Sequence, residues 1–328
     1  MRVPAPRTRH QVPLSSSCGK MAHTAASLAA DLRALGLERG DTVFVHSSLG
    51  SVGTVDGGAA PQLLAAFDDV LGPSGLLLLP NFHLLATTEA RMSEWDVATS
   101  PSTVGYFTEF ARTAPGTWRS DAYSHSVAAR GNRAQDYTSH HLERTGCRSP
   151  WDQEHTRWGR TFGDGMPMLR AHAEGGKLLM LGALYDTSTY LHVAECLLWR
   201  KMLACLPISA AEQARLTAAE LRAKHAPFPA IDRPAMGGWW EAQGRRQLGS
   251  VGDAECRLCG IRDFADACMG EVLANPWPYL RPGGEGHAHG ERVYAAGSVR
   301  GDERKDVQSG PGQAVALLRR VAAAVAKL

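Results

Sequence analysis

The stretch that most limits what this chain can fold into is residues 175–195. Residues 178–181 are wholly apolar, with Gly175 and Gly176 before them and Gly182 after. A run this short and uniformly apolar suits a strand buried on both faces. Asp186, Thr187, Ser188 and Thr189 follow, whose short oxygen-bearing side chains cap free helix N–H groups, and residues 190–202 then read as a helix. His192 and Glu195 fall in its first turns. At i and i+3 they share a face, so the carboxylate can orient the imidazole and stabilise it when protonated. Taken alone, such a pair reads first as a surface salt bridge or a helix-capping acid, and only its context favours a catalytic role.

Upstream, residues 41–46 form a β-rich run that predicts the first core strand. It leads into His46, Ser47, Ser48, Leu49, Gly50, Ser51, Val52 and Gly53, ahead of a helical stretch over residues 59–71. A strand, a Gly/Ser-rich loop and a helix start can present several backbone N–H groups to an anion. The loop lacks both the Gly-Lys-Ser/Thr of a Walker loop and the Gly-x-Gly-x-x-Gly dinucleotide fingerprint, and a plain connecting loop is the alternative. A helix with Leu28, Leu32 and Leu35 on one side precedes this strand, and residues 76–80 predict a second buried strand. Residues 104–110 predict a short amphipathic helix, residues 119–131 are expected to lead into a third strand, and residues 264–273 predict a late helix.

At 328 residues the chain can bury one large core, and 35 basic against 33 acidic residues give a net charge of +2 with no long run of one sign. Nothing in that balance favours nucleic acid. No apolar run approaches the roughly 18 residues of a membrane helix, and no secretory signal stands at residue 1, so a cytoplasmic protein with no membrane partner is expected. Seven scattered cysteines are unlike a disulfide framework. Cys256 and Cys259 have zinc-knuckle spacing without a second pair at a fitting distance, His287 and His289 sit in a Gly-rich loop, and no metal is expected. Residues 1–20, with three prolines and no acid, predict a disordered tail. The main domain is expected over 21–280, a Gly-rich linker over 281–311 and a C-terminal helix over 312–328, which could dock on the domain or on a second subunit as a homodimer.

The segment Leu-Gly-Ala-Leu-Tyr-Asp-Thr-Ser-Thr-Tyr-Leu-His-Val-Ala-Glu, residues 181–195, resembles the signature block of the aminoglycoside 3-N-acetyltransferase family. Further blocks recur in the family's order: His-Ser-Ser-Leu at 46–49, Trp-Asp-Val-Ala-Thr-Ser-Pro at 95–101, the stretch 119–131 with Ser126 and Val127, Phe-Gly-Asp-Gly-Met-Pro at 162–167, and residues 248–264. Two departures stand out. Ala122 and Tyr123 replace the family's His-Pro or Asp-Pro pair, and Met166 replaces a serine.

The resemblance implies a single α/β domain, a central mixed β-sheet with helices on both faces, and the alternation of buried strands and helices supports that class independently. It also implies acetyl transfer from acetyl-CoA to an amine of an aminoglycoside, the 3-amino group of 2-deoxystreptamine. An ammonium cannot attack a thioester, so a base is needed, and His192 oriented by Glu195 supplies one. Thr189 is the hydroxyl expected to hold the thioester or the departing sulfur. Residues 46–53 with Ser126 and Val127 are expected to bind coenzyme A. Asp56, Asp96, Asp164, Tyr185 and Asp186 are expected to receive a polycationic acceptor. The alternatives are a biosynthetic N-acyltransferase of the same family working on another amine, and a non-catalytic CoA-binding module.

Overall fold

The computed structural model describes residues 21–143, 145–147, 149, 151–153, 156–205, 230–275 and 278–279. The expected N-terminal tail, linker and C-terminal helix lie outside the described residues.

Helix α1 (Ala25–Ala34) opens on a reciprocal cap: Thr24 Oγ1 accepts the Ser27 N–H at 3.2 Å and Ser27 Oγ accepts the Thr24 N–H at 2.9 Å. Its buried residues Leu28 and Leu32, with Leu35 beyond, follow the predicted stripe. Strand β1 (Thr42–Ser47) comes next, then α2 (Ala59–Leu71), β2 (Leu76–Pro80), α3 (Thr88–Glu94), α4 (Tyr106–Thr113), β3 (Thr117–Arg119), β4 (Val127–Gly131), α5 (Ala134–Ser139) and α6 (Pro167–Glu174). The chain continues through β5 (Lys177–Leu181), α7 (Tyr190–Cys205), α8 (Arg233–Gln243), β6 (Gln247–Val251), β7 (Ala254–Gly260) and α9 (Ile261–Ala274).

One seven-stranded sheet runs in the order β3-β4-β2-β1-β5-β7-β6. β1 is parallel to β2 and β5, while β4 and β7 run antiparallel to their inner neighbours, so the sheet is mixed as expected. Strand alternation divides the core. Phe44, Leu178 and Met180 face a layer with Met168, Leu191, Trp199 and Phe264, and Val43, Val45, Leu179 and Leu181 face one with Leu28, Leu63, Phe67 and Phe107. Each such side chain contributes roughly 1.5–3 kcal/mol when withdrawn from water.

The strands predicted at 41–46, 76–80 and 178–181 match β1, β2 and β5 to within one residue, and α3 is capped by Thr87 Oγ1, which accepts the Ala90 N–H at 3.1 Å. The three-residue edge strand β3 is too short to leave a period-2 signal. No helix among the described residues is long and apolar enough to cross a membrane.

Candidate active site

The carboxyl ends of β1 and β5 lie side by side, with His46 opposite Met180 and Ser47 opposite Leu181. The chain leaves β1 for α2 in one core layer and β5 for α7 in the other, which opens a crevice between the two strand ends. Ser48 N–H donates to Leu181 O at 2.8 Å, and the chain turns through a short 3₁₀ segment, Leu49–Val52. Gly182 permits this close approach. Its φ is +61°, and a Cβ there would lie 2.6 Å from Ser51 Cβ. A cavity of about 360 Å³ sits in the crevice, walled by His46, Ser47, Ser48, Phe82, Asp186 and Thr189 among others. Ser47 Oγ is buried without a hydrogen-bond partner among the described residues.

His46 is buried on this wall. Burial pushes its pKa down to about 3, with the Arg233 charge adding to the effect. The ring is therefore neutral, and its Nε2 accepts the Thr189 N–H at 3.2 Å, with Thr189 Oγ1 also at 3.2 Å. That bond fixes Thr189 at the point where the cavity meets α7.

The helix start follows the cap sequence. Ser188 Oγ accepts the Tyr190 N–H at 3.3 Å, Ser188 O accepts from Leu191 N–H at 3.3 Å, and Thr189 O accepts from His192 N–H at 3.0 Å. His192 and Glu195 are buried, 7% and 3% exposed, which excludes the surface salt-bridge reading. His192 Nδ1 lies 2.6 Å from Glu195 Oε2, and Glu195 Oε1 accepts the Ile231 N–H at 2.7 Å. On the other side of the ring Arg233 Nη2 donates to His192 Nε2. A guanidinium can only donate. The Nε2 lone pair must then be free to accept, and the ring proton sits on Nδ1 toward Glu195. This is the tautomer a general base requires.

Aromatic rings enclose the imidazole. Trp151 lies 4.7 Å from it, His125 5.2 Å and Phe162 6.3 Å, centroid to centroid. His125 is held well below the ordinary histidine range by burial first and by His192 and Arg233 next. Its Nδ1 lies 2.8 Å from Ser124 Oγ.

The expected residues separate clearly. His46, Ser47, Ser48, Asp186 and Thr189 line the crevice, with Leu49, Gly50, Ser51, Val52 and Gly53 in the turn beside it, while His192 and Glu195 pair with each other in the first turns of α7, next along the chain from Thr189 but outside the cavity lining. Ser126 and Val127 do not line the cavity: Ser126 Oγ donates to Asn81 O at 2.5 Å and Val127 is buried in β4. Tyr185 belongs to the core, stacked on Phe264 at 5.0 Å, with its hydroxyl 3.6 Å from Cys259 Sγ. Asp96 is a loop cap whose Oδ1 accepts from Ala98 N–H at 2.9 Å and from Thr99 N–H at 2.7 Å. The bonds from Thr99 hold its carboxyl below the usual carboxylate range. Asp56 and Asp164 are exposed outside the cavity lining, Asp164 lying 4.0 Å from Arg200.

Sequence reasoning missed Arg233, Trp151 and His125. The only local signal was Asp232-Arg233-Pro234, a cap followed by a proline in a helix's first turn, with Asp232 Oδ1 accepting the Ala235 N–H at 3.0 Å. Cys256 and Cys259 lie in β7 with their thiols pushed up by burial to about 11 and about 12. Among the described residues no group of three or more His, Cys, Asp or Glu could hold a metal ion, and His287 and His289 lie outside them.

A family model described as aminoglycoside 3-N-acetyltransferase matches residues 44–271. Aminoglycoside N(3)-acetyltransferase III of Serratia marcescens is 32% identical over 190 residues, which cover 53% of this chain and 65% of that protein. The SPbeta prophage-derived aminoglycoside N(3')-acetyltransferase-like protein YokD of Bacillus subtilis is 27% identical over 265 residues, 74% of this chain and 90% of that one. The chain thus spans just under two thirds of the first relative. Among solved structures, AAC-IIIb in a binary complex with CoASH superposes with a TM-score of 0.56 at 25% identity, over 77% of this chain and 97% of that chain.

Proposed function

The chain belongs to the aminoglycoside 3-N-acetyltransferase family, and on that premise we propose that it transfers an acetyl group from acetyl-CoA to an amine, with His192 as the general base. The observation that carries this reading is the tautomer. Glu195 accepts a hydrogen bond from Nδ1–H, and Nε2 is the acceptor nitrogen, which the Arg233 guanidinium meets as a donor.

Bound acetyl-CoA supplies the thioester carbonyl that the amine attacks. The residues present fit such a guest: Ser47 Oγ is a buried polar atom without a partner, and Gly182 keeps the 49–52 turn close against β5. Thr189, held by His46, offers a hydroxyl at the junction of cavity and dyad. His192 Nε2 removes the amine proton as the nitrogen bonds to carbon, and the Glu195 carboxylate stabilises the imidazolium that results. The proton then passes to the departing sulfur. Cys196 adjoins the dyad, but burial raises its thiol well above the ordinary range, which argues against a Cys196 acetyl-enzyme and supports direct transfer.

The family description gives an aminoglycoside amino group as the acceptor, which for this chain would be the 3-amino group of 2-deoxystreptamine. The alternative, an amine that is not an aminoglycoside, is favoured by the charges at the site. Of the four aspartates expected to receive ammonium groups only Asp186 lines the cavity, and the group facing the base is a guanidinium.

The test is release of the CoA thiol across a panel of amines that includes a 2-deoxystreptamine aminoglycoside. His192→Ala should keep CoA binding by calorimetry and lower turnover on the best amine by roughly 10²–10⁴-fold. CoA binding with no turnover on any amine would instead leave a non-catalytic binding module.

A further inference from the structure

Arg233 holds an unusual position for a cation. It lies at the start of α8, half-buried, with its guanidinium against His192 Nε2, and no carboxylate lies within 4.0 Å of it among the described residues. Its charge is felt at His46 and His125, both held neutral by burial, and its guanidinium donates to His192 Nε2. Glu195 is committed elsewhere, to His192 Nδ1 and to the Ile231 N–H. The charge that meets Nε2 is thus positive, with no carboxylate in direct contact with it among the described residues. A donor on Nε2 also competes with the amine proton for the one lone pair that can accept it.

Both features have the same remedy. An anionic group entering beside the amine would take over the guanidinium's donors in a charge-assisted, two-pronged contact that a neutral imidazole nitrogen cannot match. Movement of the side chain is sufficient, because its backbone is anchored on both sides: Ile231 N–H to Glu195 at 2.7 Å and Asp232 Oδ1 to the Ala235 N–H at 3.0 Å.

Resting on the acetyl-transfer reading above, we propose that Arg233 binds an oxyanion on the acceptor. The amine acetylated at this site then carries a carboxylate or phosphate a few bonds from its amino group, and seating that anion draws the guanidinium off His192 Nε2. The step balances as before: the C–N bond forms, the C–S bond breaks, the amine proton goes to Nε2, and the thiolate is protonated in turn. A polycationic amine lacking an anion would meet a like charge at the base.

The experiment uses the full chain with two matched pairs, O-phosphoethanolamine against ethanolamine and β-alanine against β-alaninamide. Binding is measured by calorimetry in the presence of CoA, and kcat/KM by thiol release from acetyl-CoA. The wild type should bind and turn over the anionic member of a pair at least tenfold better than the neutral one. Whichever pair shows this preference identifies the anion as phosphate or carboxylate. Arg233→Met should abolish the preference while raising turnover of the neutral amine, because Nε2 is uncovered, and Arg233→Lys, which keeps the charge without the fork, should restore part of it. Equal affinity for both members of both pairs overturns the proposal. So does an Arg233→Met variant, folded by circular dichroism, that weakens both members alike. If no amine is acetylated, the acetyl-transfer reading fails, and the calorimetric preference still decides whether Arg233 is an anion site.

Discussion

Glu195→Gln is the sharpest test of the dyad, because it keeps the side chain's shape and removes only its capacity to accept twice. In the native site the carboxylate receives the His192 Nδ1 proton at 2.6 Å and the Ile231 N–H at 2.7 Å, both away from water. A carboxamide has one oxygen and one NH₂ group, so it cannot serve both donors. If the oxygen stays with Ile231, the NH₂ faces Nδ1 and the imidazole must adopt the opposite tautomer, with its proton on Nε2 and directed at the Arg233 guanidinium. If the oxygen turns to His192, the Ile231 N–H is left buried without an acceptor. Leaving one buried donor unpaired costs about 1–3 kcal/mol, which in a domain of this size lowers Tm by several degrees. The catalytic loss should exceed the stability loss. Without an acceptor at Nε2 and without a carboxylate to stabilise the imidazolium, turnover should fall by roughly the 10²–10⁴-fold that general-base catalysis supplies. Thiol release gives kcat, thermal unfolding gives stability, and calorimetry with CoA separates binding from chemistry. A variant that keeps more than half of the wild-type turnover would refute the assignment of His192 as base and Glu195 as its orienting partner.

Other consequences can be read from the same site. His46, His125 and His141 are held neutral in the folded chain, with His46 lowered to about 3 and His141 to about 4, chiefly by burial. Below an ordinary histidine pKa of about 6.5 the unfolded chain takes up these protons and the folded chain does not, so stability falls with pH by up to about 1.4 kcal/mol per unit per histidine until the folded values are reached. The denaturant midpoint should therefore drop steeply between pH 6.5 and pH 4, and an unchanged midpoint between pH 7.5 and pH 5 would contradict neutral burial of the three. Gly182→Ala places a Cβ 2.6 Å from Ser51 Cβ at a φ of +61°. It should cost more than about 1 kcal/mol of stability, and by displacing the 49–52 turn it should raise KM for acetyl-CoA at least fivefold. An unaltered KM in a folded variant would separate that turn from cofactor binding.

What was legible in the sequence is what lies close together along the chain. The apolar run at 178–181, the cap at 188–189 and the dyad at 192 and 195 form one strand–turn–helix unit, and its geometry follows from period and capping alone. The surroundings of the His192 ring were not legible. Trp151, His125 and Arg233 come from separate segments, and only the fold brings each of them against the His192 ring. The acids misled for a related reason. A short polar side chain in a loop can bind a ligand or satisfy its own backbone, and the Asp96 carboxylate is already occupied by the N–H groups of Ala98 and Thr99. Tyr185 and Asp186 are sequence neighbours in one 3₁₀ turn, yet one ring is buried against Phe264 while the next carboxylate faces the cavity.

The site thereby divides into chemistry that is local in sequence and selectivity that is not. The link between the two is Glu195, whose one oxygen orients the base while the other anchors the backbone at Ile231, two residues before Arg233. Any displacement of residues 231–233 would therefore reach the carboxylate that orients His192, and on the proposed reading the guanidinium and the base are coupled through Glu195. Substitutions of Arg233 should for this reason change kcat together with KM, whereas changes at Ser47 or Gly182, on the cofactor side of the crevice, should act mainly through the KM for acetyl-CoA.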